Sequence, residues 1–283
     1  MPFIKEYNKD FYFKDNSLQL SENFFKENSS KFKKITGSRF YNVLGLNKYS
    51  SPVQTWATMV NIYKEEMDPM LSRAGNIIEP KIRDYASKHL KINFISYEPY
   101  KINWDAFPEN SIFGGIPDGE PIDEQGNLLY PQKPMLEIKT SSIDRLSYKK
   151  INNQMQMLLN SNGFPIVKKA NAKRDEWFND DGKMDIKNEY KIQLSLYLYL
   201  RNIEKGIFAV CFLKPEDYVN PELCDINQRE IRFVEMQVKR EKISPFIEKG
   251  TAWYKSHILT GISPKLTALD LEWLKENNIE IKN

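Results

Sequence analysis

Asp118 closes an apolar run in Ile116-Pro117-Asp118-Gly119, and Glu137 and Lys139 follow in Met135-Leu136-Glu137-Ile138-Lys139-Thr140. An acid, then an acid and a lysine two apart, is a pattern suited to metal-assisted hydrolysis. Two carboxylates supply hard oxygen ligands for Mg²⁺ or Mn²⁺, and an ammonium beside them orients a water or steadies an anionic transition state. Phosphodiester cleavage needs that combination. In an extended strand successive side chains alternate faces, so Glu137 and Lys139 project together while Leu136 and Ile138 turn into a core. Two plainer readings stand beside this one. Pro117-Asp118-Gly119 is also a turn signal, and Glu-x-Lys on a strand also describes a solvated face with a weak ion pair.

Further candidates lie upstream. Ile35-Thr36-Gly37-Ser38-Arg39 precedes Phe40, Tyr41, Val43 and Leu44, a pattern that opens a helix at a small polar residue. Free N–H groups and the helix dipole make such a start a phosphate site, with Ser38 and Arg39 as its side chains; the plainer alternative makes Ser38 an N-cap. Glu79 sits at the edge of a helical stripe, one turn after Gly75, which leaves room for it to look inward.

The elements that must position these groups read as follows. Residues up to about Leu20 show no sustained period and are expected to form a peripheral arm. Ser51-Pro52 and Asp68-Pro69 open two helices with proline at the first position. In the second, Leu71, Ala74, Ile78, Ile82 and Tyr85 form the buried stripe, and Pro80 is expected to kink it. Residues 93–100 and 111–117 read as strands, with a turn at Glu124-Gln125-Gly126-Asn127. A polar helix is expected from Lys139 to about Asn160, then a long loop from Ser161 to Asn188.

Lys191 to Arg201 sets two rules against each other. Ile192, Leu194, Leu196, Leu198 and Leu200 alternate as in a strand, yet leucine favours helix and a buried helix is apolar nearly all round. The order of the surrounding motifs favours a helix, with Tyr190, Gln193 and Tyr197 along one side. Residues 206–213 and 231–238 read as strands. A helix follows from Glu241 with a break at Gly261-Ile262-Ser263-Pro264, and a last helix runs from Leu269 to Asn277.

Composition bounds the function. The 283 residues are 41% hydrophobic and 28% charged, which describes a soluble globular chain, and no apolar run suggests a membrane span. The N-terminus lacks the basic-then-apolar order of a leader, so a cytoplasmic setting is expected. Two cysteines and two widely spaced histidines exclude a thiolate zinc site and histidine-based acid/base catalysis. A net charge of +3 does not by itself argue for nucleic acid. Local clusters suit a polyanion better: Lys31, Lys33 and Lys34; Lys149 and Lys150; Lys168, Lys169, Lys173 and Arg174.

Taken in order, these motifs resemble the PD-(D/E)XK nuclease superfamily, in its branch of YqaJ-like viral recombinases and phage lambda exonuclease. The likeness covers about Ile35 to Leu266 and includes Arg73 with Gly75 and Glu79-Pro80, Tyr190 with Gln193 and Tyr197, and Trp253 with Gly261 and Pro264. It implies an α/β (α+β) fold with a restriction-endonuclease-like core, a mixed central β-sheet flanked by helices. The expected organisation is an N-terminal arm and helix over 1–34 and a single nuclease domain over 35–283, with an insertion at about 161–188. Asp118 and Glu137 would be metal ligands, joined by the Ile138 carbonyl and by Glu79, for one or two Mg²⁺ ions or Mn²⁺ in their place. Lys139 would position or activate the attacking water and Gln193 would help orient it. Ser38 and Arg39 would grip a 5′-phosphate. The implied activity is exonucleolytic resection of duplex DNA ends in recombination or processing, with a single-strand annealing protein and a homo-oligomer as further partners. A structure-specific or restriction-type endonuclease, and a DNA-binding module without catalysis, remain alternatives.

Overall fold

The structure, a computed structural model, describes residues 3–65, 67–151 and 154–281. Met1 and Pro2, at the start of the segment read for a leader, and Asn152 and Asn153, inside the expected polar helix, lie outside the described residues. The chain divides into two compact units, one made of Met1–Glu66, Asp105–Gly115 and Glu241–Asn283, the other of Met67–Trp104 and Ile116–Arg240.

In the first unit, strands Phe11–Lys14 and Ser17–Leu20 pair as an antiparallel hairpin where the sequence shows no period. Phe11 and Leu18 are wholly buried. The hairpin is tied to the far end of the chain, since Leu20 N–H donates to the Gly261 carbonyl and Ser263 N–H to that of Leu18. Helix Pro52–Met59 begins as expected, with Ser51 accepting from Val53 N–H. It buries Trp56, whose indole N–H donates to the His257 carbonyl.

The second unit is built on a three-stranded mixed sheet in the order Glu230–Gln237, Lys205–Leu213, Met135–Ser142. The middle strand runs antiparallel to the first and parallel to the last, with Leu136 opposite Ile207 and Glu137 opposite Phe208. The fold class is therefore mixed helix and sheet, as the sequence implies. One face of the sheet carries Leu136, Ile138, Ile207, Ala209, Cys211 and Leu213, and Ala74, Ile78, Ile82 and Ala86 of helix Pro69–Leu90 complete that core. Asp68 caps this helix by accepting from Met70 N–H, and Pro80 lies within it. The other face meets helix Asn188–Arg201. Gly206 permits the approach, because a Cβ there would lie 2.6 Å from Leu194 Cδ2.

Three expectations need correction. The stretch from Lys139 to Asn160 is not helical: the central strand runs on to Ser142, and Tyr148–Ile151 pairs antiparallel with Gln154–Met157. Its isoleucine, tyrosine and methionines serve extended backbone, and glutamine and lysine are common to both structures. The two upstream strands are shorter than expected, Asn93–Ile95 and Phe113–Gly114. The loop after Ser161 holds a short strand, Val167–Lys169, and a helical turn, Ala172–Asp175. Among the described residues no helix is long and apolar enough to cross a membrane.

Candidate active site

The outer edge of strand Met135–Ser142 is where the candidates gather. Gly119 takes up that edge, its N–H donating to the Leu136 carbonyl at 3.2 Å and its carbonyl accepting from Leu136 N–H at 2.9 Å. One step along, the Asp118 carboxylate replaces a neighbouring strand by accepting Ile138 N–H at 2.7 Å. Pro117-Asp118-Gly119 is thus strand pairing here and not a turn. A strand residue turns its N–H and carbonyl to the same side, so the Ile138 carbonyl opens toward Asp118 as well.

Glu137 and Lys139 project together from the opposite face to Leu136 and Ile138, as alternation requires. Lys139 Nζ lies 2.8 Å from Glu137 Oε1, and Glu137 is fully buried. Gln193, from the second turn of helix Asn188–Arg201, joins the two: its Nε2 donates to Glu137 Oε1 at 2.6 Å and its Oε1 accepts from Lys139 at 3.1 Å. Tyr190, one turn earlier, sets its ring 4.7 Å from the Lys139 ammonium. The helix expected from the order of the motifs therefore brings Tyr190 and Gln193, two of the three residues expected along one side, to Lys139, while the third, Tyr197, is buried.

These groups shift one another's protonation. Burial, then the charge of Asp118, pushes the Glu137 carboxyl up to about 8, against the pull of Lys139. Burial also raises Asp118, although Lys139 and the Ile138 N–H favour its charged form. For Lys139 burial works against the ammonium, but the carboxylates of Glu137 and Asp118 outweigh it and the net shift is upward. Glu79 is raised to about 7 by burial and then by Asp118.

Glu79 is turned toward Arg83, which donates to its Oε1 at 2.7 Å. The same guanidinium donates through Nε to the Asp118 carbonyl at 2.6 Å and through Nη1 to Ser96 Oγ at 3.0 Å. Arg83 escaped the sequence reading. The signal for it is its place four residues after Glu79 on the same helix face.

The donor set suits a hard divalent cation. Glu137 Oε2 is buried without a hydrogen-bond partner, and the charge of the Asp118 carboxylate acts on the same carboxyl. Among the described residues, no three histidine, cysteine, aspartate or glutamate side chains form a ready three-ligand cluster. Asp118, Glu137 and the Ile138 carbonyl are the first candidates to hold an ion, with Glu79, whose Oε1 is held by Arg83, as a further one.

Ser38 and Arg39 belong to the other unit. Helix Gly37–Val43 starts from Thr36 as N-cap, so Ser38 is not the cap; it lies exposed in the first turn with its hydroxyl 3.2 Å from that of Thr36. Arg39 donates to the Thr36 hydroxyl at 3.4 Å. Nearby, burial and then the charges of Arg39 and Lys64 lower the Lys33 pKa, which marks a local concentration of positive charge.

Comparison with known proteins gives a family and two kinds of neighbour. The family described as the YqaJ-like viral recombinase domain matches residues 28–204. An uncharacterised protein of Mycoplasma genitalium is 54% identical over 281 residues, spanning 99% of this chain and 100% of its own length. An uncharacterised homologue from Mycoplasma pneumoniae is 52% identical over 280 residues, with the same coverage. Among solved structures, an alkaline exonuclease from Laribacter hongkongensis aligns over 91% of this chain and 98% of its own at 15% identity, with a TM-score of 0.49. A phage-related exonuclease from Haemophilus somnus 129PT aligns over 82% of this chain and 97% of its own at 14% identity, with a TM-score of 0.48.

Proposed function

The chain belongs to the YqaJ-like viral recombinase domain family, and on that footing we propose that it is a divalent-metal-dependent deoxyribonuclease acting as an exonuclease on duplex ends. One observation supports the reading above the others: a wholly buried Glu137 with an unpartnered oxygen, held by Lys139 and Gln193 beside Asp118. A buried carboxylate left in this state has a role that packing does not supply. Asp118, Glu137 and the Ile138 carbonyl would hold Mg²⁺ or Mn²⁺, which when bound polarises the phosphate and eases formation of the hydroxide nucleophile.

The protein's own groups do the rest. Lys139 is held as an ammonium and so steadies the charge that develops on the phosphate oxygens and orients the attacking water. Gln193 fixes Lys139 and Glu137 to each other, which keeps the reacting groups in one geometry before substrate arrives. Tyr190 covers the Lys139 ammonium on its ring side and limits water there. Ser38 and Arg39, with Lys33 and Lys64 nearby, are assigned to a terminal phosphate of the substrate. A cytoplasmic setting, an annealing partner and self-association belong to the same reading.

The test is incubation with 5′-phosphorylated linear duplex, covalently closed circle and single strand, each with Mg²⁺ or with chelator. Digestion of the linear duplex alone, abolished by chelator, is the expected result. Nicking of the closed circle would replace exonuclease by endonuclease. Glu137→Ala and Lys139→Ala should each abolish cleavage while duplex binding changes by less than about threefold, since most affinity comes from phosphate contacts elsewhere. Cleavage at the wild-type rate in either variant removes the site assignment.

A further inference from the structure

Arg83 is a charged side chain only 8% exposed, and no role assigned so far requires one there. On helix Pro69–Leu90 the row Ala74, Ile78, Ile82 and Ala86 belongs to the core, and Glu79 and Arg83 form the next row, one residue on. Burying a guanidinium costs more than an i,i+4 ion pair with Glu79 returns, so a link within the helix does not account for it. The whole fork is engaged instead.

Its three nitrogens go to three segments. Nη2 donates to Glu79 Oε1 at 2.7 Å on its own helix, and Nη1 to Ser96 Oγ at 3.0 Å, next after strand Asn93–Ile95. Nε donates to the Asp118 carbonyl at 2.6 Å. That carbonyl shares a planar, rigid peptide unit with Gly119 N–H, which donates to the Leu136 carbonyl at 3.2 Å. In a trans peptide the two groups point in opposite directions, so helix and central strand grip one plane from its two sides. The Asp118 side chain leaves the backbone at the edge of that plane, and its carboxylate accepts Ile138 N–H at 2.7 Å.

We propose that Arg83 is a positioning residue: it pins this peptide plane, and so aims the Asp118 carboxylate, while keeping Glu79 on the same guanidinium. That the aimed carboxylate serves a divalent ion rests on the nuclease reading; the pinning does not. Lysine is no substitute, because one ammonium keeps the charge without the planar fork that reaches three acceptors at once.

The test reads the pinning without metal and the ion separately. In chelator, amide exchange followed by NMR should show Ile138 N–H exchanging at least about tenfold faster in Arg83→Lys than in the wild type. The backbone N–H groups of Glu137 and Lys139 turn to strand Lys205–Leu213 and should keep their rates within about twofold. Should Arg83→Lys fail to fold, the wild type carries the test: Arg83 Nε–H should exchange at least about tenfold more slowly than that of the half-exposed Arg73. Mn²⁺ titration followed by electron paramagnetic resonance should show binding weakened by about tenfold in Arg83→Lys, and kcat on linear duplex should fall with KM unchanged. Wild-type exchange at Ile138 in the variant, equal acceleration at all three amides, or an Arg83 Nε–H as labile as that of Arg73 overturns the pinning, whatever the protein cuts. Unchanged Mn²⁺ affinity in the variant overturns its link to the ion. Faster exchange at Ile138 alone, with a wild type that binds no Mn²⁺, upholds the pinning and removes the nuclease reading.

Discussion

At Glu137 burial and a neighbouring acid oppose ionisation, while a lysine and an amide favour it. Without a bound cation the carboxyl is held near 8, so a proton and a divalent ion compete for it. Glu137 and Glu79 are both raised above the ordinary 4.5, so they bind protons more tightly in the folded chain. Their contribution to metal-free stability is full below about 4.5 and is lost as pH rises through about 7 and about 8. Mg²⁺ should therefore raise the melting temperature more at about pH 8.5 than at about pH 6. Calorimetric scans with Mg²⁺ and with chelator check the order, and the reverse order would contradict the shared-site account. Gln193→Ala should cut kcat by about a hundredfold with KM little changed, because it fixes reacting groups without itself holding the substrate. The acid-x-lysine step was legible because strand alternation dictates which side chains share a face. The bonds that Asp118 accepts, at its carbonyl from Arg83 and at its carboxylate from Ile138 N–H, were not, since they depend on separate elements meeting in space.

Helix Asn188–Arg201 shows where periodicity fails at the level of a single element. Leu194, Ser195, Leu196, Tyr197 and Leu198 are all buried in succession, so no solvent face exists to write a period of 3.6 into the sequence. The order of the surrounding motifs carried the right answer, and Asn202 stops the helix in the left-handed conformation, φ 55°. The polar stretch after Ser142 misled for the converse reason: its strands are largely exposed and carry no apolar alternation. The same helix is held close to the sheet at Gly206, and Gly206→Val should cost about 1–3 kcal/mol by driving Leu194 aside. Urea denaturation measures this loss, and kcat should fall with it as Gln193 moves. At the helix end Arg201 clasps the fully buried Glu120 through two bonds of 2.7 and 2.8 Å, with the hydroxyls of Tyr97 and Tyr130 on the same carboxylate. Arg201→Met strands that charge and should cost about 3–5 kcal/mol; a cost under 1 kcal/mol in the same titration would show the cluster to be dispensable.

For the whole molecule the decisive fact is that the first unit draws on both ends of the chain. The hairpin near the N-terminus supplies partners to Gly261, Ser263 and Leu266, and local sequence gives no sign of such a pairing. Removal of residues 3–20 should therefore lower the melting temperature by more than about 5 °C or leave the protein insoluble; a truncated chain that melts like the parent would show the hairpin to be an accessory. The proposed terminal-phosphate role of Ser38 and Arg39 gives another test, since removing the 5′-phosphate should slow digestion of linear duplex and Arg39→Ala should abolish that difference. Asp118 has a final consequence for solubility. By occupying the amide of Ile138 it denies that border of the sheet to any visiting β segment. A chain stripped of this one carboxylate would lose its chemistry and also acquire an adhesive rim, so Asp118→Asn, whose amide oxygen still caps the strand, separates lost turnover from self-aggregation where Asp118→Ala would confound them.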